Sequence, residues 1–167
     1  MKRNAGQRGM VVAELLIAIG LSAMIVGTVG SAVFQFTGAT ERGNQQFRAL
    51  HDVQNAGYWL TRDGARAEST SLVEGAPPVS SIILNWTDDG QPKSCAYSLF
   101  GTDLTRYADG GYPNGTATIV ARNISHVEFS MSQGVIIVSI TSSPDGRWGV
   151  EKEITYRISR RPTNPIP

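Results

Sequence analysis

Cysteine is nearly absent from this chain of 167 residues: Cys95 stands alone, so no internal disulfide can form and thiols report no redox compartment. Proline is missing from residues 1–76, so nothing in that stretch forces a helix to end. Acids are missing from residues 1–9, which hold Lys2, Arg3 and Arg8. From Met10 to Thr40 charge of either sign is missing, with the one exception of Glu14. Without the three leading bases the chain carries 12 basic and 14 acidic side chains, a net of −2, and no nucleic-acid partner is indicated, because the phosphate backbone demands clustered Lys and Arg. His51 and His126 lie far apart in the chain, with no cysteine beside either, so no metal or catalytic role is assigned to them. Asp88, Asp89, Asp103 and Asp109 lack the ordered spacing of an EF-hand and read as turn formers. Phosphate-binding glycine loops and nucleophile elbows are missing too. The expectation is a protein with no catalytic residue, no metal and no cofactor, and not an enzyme.

What is present is a long apolar run. Met10–Phe36 is 27 residues with one charge, where about 20 helical residues cross a bilayer core. The bases before it predict residues 1–9 in the cytoplasm and the remainder across the membrane. A cleaved secretory signal is the alternative that the small residues of "GSAVFQF" keep open.

The helical pattern continues beyond the apolar run. Phe47, Leu50, Val53 or Gln54, Gly57, Leu60 and Gly64 recur at three- and four-residue steps, while Arg42, Gln46, Arg62 and Arg66 fall largely on other faces. One helix is expected from Met10 to the region of Asp63–Ser69, roughly 80–90 Å long, apolar all round at first and amphipathic afterwards. The alternative is a break near Gly38–Gly43. "EGAPPVS" at 74–80 ends the helical region, and the period then becomes two. Strands are expected at 81–86, 94–100, 105–107, 124–131, 134–141 and 150–159, with "TDDGQPK" as a turn, 108–116 as a Gly-rich loop and the tail from Arg160 irregular. These hairpins predict one antiparallel sheet with an apolar face for the amphipathic helix to cover. The fold class is therefore α+β, a long N-terminal helical spine packed on an antiparallel sheet. It divides into 1–9, 10–36, 37–69 and 70–167.

Ala23, Gly27 and Ser31, with Gly20 and Gly30 nearby, form a small-residue ridge along which membrane helices can approach closely. "NWT", "NGT" and "NIS" fit the glycosylation sequon at Asn85, Asn114 and Asn123.

The leader "KRNAGQRG" followed by "MVVAELLIAIGLSAMIVG" resembles the processing site of type IV prepilins and type II secretion pseudopilins. The resemblance implies cleavage between Gly9 and Met10 by a membrane prepilin peptidase, methylation of the new amine, and a role for Glu14, then the fifth residue, in filament assembly. Most members begin with Phe where this chain has Met10, and often carry "TLIE" where it has "VVAE". Gly9, lacking a side chain, lets an extended backbone approach a protease closely. The spine and the later strands are similar to minor, tip-complex subunits, which makes the fold pilin-like. The implied partners are prepilin peptidase, other pilin or pseudopilin subunits, an inner-membrane assembly platform and membrane lipid. The implied place is the inner membrane, with the C-terminal domain periplasmic or extracellular, and then a pilus or pseudopilus. A permanent single-pass protein with an extracytoplasmic binding domain is the alternative.

Overall fold

A computed structural model describes residues 5–109 and 115–161, with side chains from Val12 onward. Helix α1 runs Ala5–Gly64, and the chain divides into two units between Gly43 and Asn44. The helix begins five residues earlier than the apolar run, because nothing in Ala5–Gly9 breaks it. Gly9 is helical, and residues 38–43 are helical, so the alternative of a break there is not seen. The helix ends at Gly64, within the expected region of Asp63–Ser69: Arg66 N–H donates to the Asp63 carbonyl (3.2 Å) and Ala67 N–H to those of Asp63 (3.1 Å) and Gly64 (3.2 Å), tightening the last turn.

The unit beginning at Asn44 holds two antiparallel sheets where one was expected. The first runs in the order β1 (Ser69–Thr70), β2 (Ser81–Asp88), β3 (Gln91–Phe100), β4 (Asp103–Ala108) and β5 (Thr116–Ala121). The second contains β6 (Ile124–Ser132), β7 (Val135–Ser142) and β8 (Lys152–Ser159). The chain leaves the first sheet at Asn123, which is left-handed (φ 54°), and the β6–β7 register shifts between Ile124 and His126. That bend redirects β6 away from β5. Strands β1 and β5 were not expected. β5 buries only Val120 and Ala121, so it lacks the alternation that marks a half-buried strand.

Tight turns set the registers. The β2–β3 hairpin turns at Asp89 and Gly90 and the β6–β7 hairpin at Gln133 and Gly134, all with positive φ as a type I′ turn requires. The expected seven-residue turn is thus two residues, and its flanks belong to the strands. Glu74 accepts hydrogen bonds from the amides of Gln133 and Gly134, tying the segment before β2 to the β6–β7 turn.

One core joins the elements. Val53, Ala56 and Leu60 from α1 meet Ile82, Leu84, Tyr97 and Leu104 from the first sheet, and Val127, Phe129, Ile136, Val138, Ile140 and Ile158 from the second. The expected helical face is rotated slightly. Phe47 is 73% exposed, and Ala49 takes its place in the buried row. Gly57 and Gly64 mark close approaches: a β-carbon at Gly57 would overlap the Tyr156 ring, and one at Gly64 would lie 2.7 Å from Ile158 Cγ2. The β4–β5 register shifts between Leu104 and Thr105, leaving Val120 without a partner residue, and Asn55 Nδ2 donates to its carbonyl at 2.7 Å.

Candidate functional site

The residues expected to carry function lie in the first half of α1. Gly9 and Met10 are helical, but the side chain and surroundings of Met10 lie outside the described residues, as do residues 1–4 of the leader. Glu14 stands among apolar side chains that are open to the surroundings: Val12, Leu15, Leu16, Ile17 and Ile19. Exposure continues through Met24, Ile25 and Val26 to Phe36, which is 79% exposed. The segment is long and apolar enough to cross a membrane.

Its other polar side chains are satisfied within the helix. Ser22 Oγ donates to the Ala18 carbonyl, Thr28 Oγ1 to Ile25, Thr37 Oγ1 to Val33 and Thr40 Oγ1 to Phe36, all at 2.8–2.9 Å. Gln35 Nε2 donates to Ser31 Oγ at 3.3 Å. Such bonds are what a hydrocarbon environment requires of hydroxyl and amide groups. Glu14 differs: among the described residues none pairs with it. Gly20, Gly27 and Gly30 have nothing within 4 Å of an added β-carbon, so the small-residue ridge is unobstructed.

A second constellation escaped the sequence reading. Tyr97 and Arg106 are register partners on β3 and β4, and Cys95 lies two residues from Tyr97 on the same face. Asp63, in the last turn of α1, is 1% exposed and meets all three. Its Oδ2 accepts from Arg106 Nε at 2.5 Å, from Tyr97 Oη at 2.6 Å and from Cys95 Sγ at 3.5 Å. Arg106 also lies over the Trp59 ring, 5.3 Å from its centroid. Burial, reinforced by the Asp63 charge, pushes the Cys95 thiol and the Tyr97 phenol well above their ordinary values. Both stay protonated, so the cluster offers no nucleophile. It ties the C-terminal end of α1 to the first sheet. The available signal was Asp63 itself, three residues past Leu60 on the buried face.

The remaining polar candidates are scattered. His126 pairs with Glu128 at 3.0 Å on an exposed strand face, and His51 lines a shallow depression with Phe47, Arg48, Asp52, Arg122 and Asn123. Asp89 forms a turn, Asp109 faces Lys93 at 3.6 Å, and Asp103 opens β4. Among the described residues no three His, Cys, Asp or Glu side chains are placed to hold a metal. Asn85 lies in β2, Asn123 donates to Asp52 Oδ2 at 2.9 Å, and Asn114 lies outside the described residues, as do 110–114 of the Gly-rich loop and the tail from 162.

No protein-family model matches this chain, and neither a curated protein nor a solved structure matches it. The chain is an α+β protein whose single described helix, near the N-terminus, is followed by a β unit. That arrangement is compatible with a single-pass membrane protein.

Proposed function

We propose that this chain is a minor pilin or pseudopilin, a non-catalytic subunit that is cut between Gly9 and Met10 by prepilin peptidase. It is then built with other pilin-like subunits into a type IV pilus or type II secretion pseudopilus on an inner-membrane platform. One observation carries the reading. The leader's bases, Gly9 and Glu14 stand at the spacing of a prepilin processing site, at the N-terminal end of a segment whose apolar side chains are uncovered over residues 12–36.

Glu14 gives that reading its physics. An ionised carboxylate alone in hydrocarbon costs roughly 2.5–3.5 kcal/mol. Beside the Met10 amine of a neighbouring subunit it gains a short, charge-assisted partner. The carboxylate therefore disfavours the isolated subunit and favours the assembled one, and the small-residue ridge lets helices approach. The apolar half of α1 serves as membrane span and filament core, while the β unit remains outside the cytoplasm.

Coexpression with a prepilin peptidase, followed by terminal mass spectrometry, tests the processing step. The expected product begins at Met10 and is N-methylated; an intact Met1 rejects the pilin reading and leaves a permanent single-pass protein. Glu14→Val and Glu14→Gln should leave insertion and cleavage intact while weakening in-membrane cysteine crosslinking to other pilin-like subunits, with Glu14→Asp between them.

A further inference from the structure

Three segments of the β unit converge at the end where its chain begins. Gly146, in the β7–β8 loop, lies directly against the Gln45 side chain, so that loop covers the first turn of the unit's helix. Ser143 N–H donates to the Asn123 carbonyl at 2.8 Å, and Asn123 Nδ2 donates to Asp52, which joins the β5–β6 bend to both. Phe47, Arg48 and Arg122 line one depression of about 300 Å³ at this pole. Arg147 lies over the ring of Trp148, 5.7 Å from its centroid, and Trp148 is 41% exposed. The pole thus presents Phe47 and Trp148 with three exposed arginines. Of its acids, Asp52 is engaged by Asn123, and Asp145 is exposed.

Connectivity says what such a surface meets. The unit begins at Asn44, eight residues after Phe36, where the long apolar run ends. Eight residues reach about 12 Å as a helix and at most about 28 Å fully extended. With the apolar run in a bilayer, the pole cannot be far from the headgroups. Tryptophan is enriched at that level, where its ring is apolar and its N–H wet, and arginines are drawn to anionic lipid.

We infer that the Phe47–Arg48–Arg122–Arg147–Trp148 pole docks on an anionic phospholipid surface and holds the β unit against the membrane. This rests on reading Met10–Phe36 as a membrane span.

The full chain, labelled with 5-fluorotryptophan, gives three fluorine resonances, for Trp59, Trp86 and Trp148. Trp148→Phe assigns the third. In nanodiscs of phosphatidylglycerol and phosphatidylethanolamine doped with a gadolinium-chelate lipid, the Trp148 line should broaden several-fold more than that of Trp86. In phosphatidylcholine discs, or with Arg48→Glu and Arg147→Glu together, the excess should disappear. Arg62→Glu, eighteen residues along the helix from Asn44, should leave it unchanged. A chain that enters the discs with Trp148 no broader than Trp86, or with an excess insensitive to lipid charge and to the arginine reversals, overturns the docking alone. A chain that does not enter the discs overturns the span reading as well.

Discussion

The two halves of α1 solve the burial problem in opposite ways. From Val12 to Phe36 the side chains are mostly apolar and all are exposed; from Gln45 to Gly64 polar and apolar residues alternate by face, and one face is sealed against two sheets. The same residue type shows the contrast. Gly20, Gly27 and Gly30 have open space around them, whereas Gly57 and Gly64 are held against Tyr156 and Ile158. In the first half a missing side chain leaves room for a neighbour that would have to come from elsewhere. In the second it has already been used, to seat an aromatic ring and a β-branched side chain of β8. A helix that is apolar all round takes its environment from its surroundings, and one with a single apolar stripe carries its partner in the same chain.

The sharpest break in this comparison should come at Asp63. Asp63→Ala removes the acceptor of three donors and leaves Arg106, whose side chain is 15% exposed, without its carboxylate. A loss of about 3–5 kcal/mol is expected, as for other buried pairs deprived of one partner. Chemical denaturation of the full chain in detergent measures it, with Trp59 as a local reporter because Arg106 lies over its ring. A change at Glu14 should leave that midpoint unmoved.

Gly57→Ala comes next. The methyl cannot be placed without displacing Tyr156, whose hydroxyl donates to the Val53 carbonyl at 3.1 Å. Overpacking of this kind costs about 1–3 kcal/mol, which outweighs the roughly 1 kcal/mol that alanine adds to helix propensity. Tyr156→Ser in the same chain should recover part of the lost melting temperature.

Alkaline pH should weaken only the second half. Cys95 and Tyr97 ionise in the unfolded chain near their ordinary values of 9.0 and 10.0, while burial holds both protonated in the fold. The unfolded state then binds fewer protons than the native one, so stability is fully present below about pH 8 and falls as pH rises past 9. The limiting slope is about 1.4 kcal/mol per pH unit for each group. Cys95→Ala should delay the onset toward pH 10 in a denaturation series. Iodoacetamide should leave Cys95 unmodified at neutral pH until the protein unfolds.

The smallest effect on the fold belongs to Gly27→Ala. Nothing in the structure lies near enough for the methyl to strike, so the midpoint for the β unit should move by less than about 0.5 kcal/mol. The same substitution should weaken in-membrane crosslinking if the small-residue ridge is a helix contact. A midpoint shift comparable to that of Gly57→Ala would show that the two halves are not energetically separate.

Much of the long helix and of its buried face was legible, because period and proline carry that information locally: Val53, Leu60, Gly57 and Gly64 fell on the expected stripe. Phe47 did not, since a pattern fixes a face only to within one residue either way, and Ala49 offered too small an apolar signal to compete. Val127, Phe129 and Met131 were readable as one face of a strand by strict alternation. β5 was not, because its first four residues are exposed in succession and its buried pair, Val120 and Ala121, straddles a bulge. The division into two sheets depends on one left-handed residue, Asn123, and an irregular register at the start of β6, neither of which leaves a periodic trace.

By itself, then, the sequence determined an uncharged run long enough to span a bilayer, the single carboxylate Glu14 within it, and the amphipathic continuation that needs a sheet to cover. These are one-dimensional properties, set by composition and spacing. The tertiary structure alone decided that Asp63 meets Cys95, Tyr97 and Arg106, 32, 34 and 43 residues away, and that Gly146 closes over Gln45 to bring Arg147 and Trp148 to the pole where the β unit begins. Those juxtapositions follow from strand register and turn geometry, which place residues distant in the chain within hydrogen-bond reach and which no local pattern encodes.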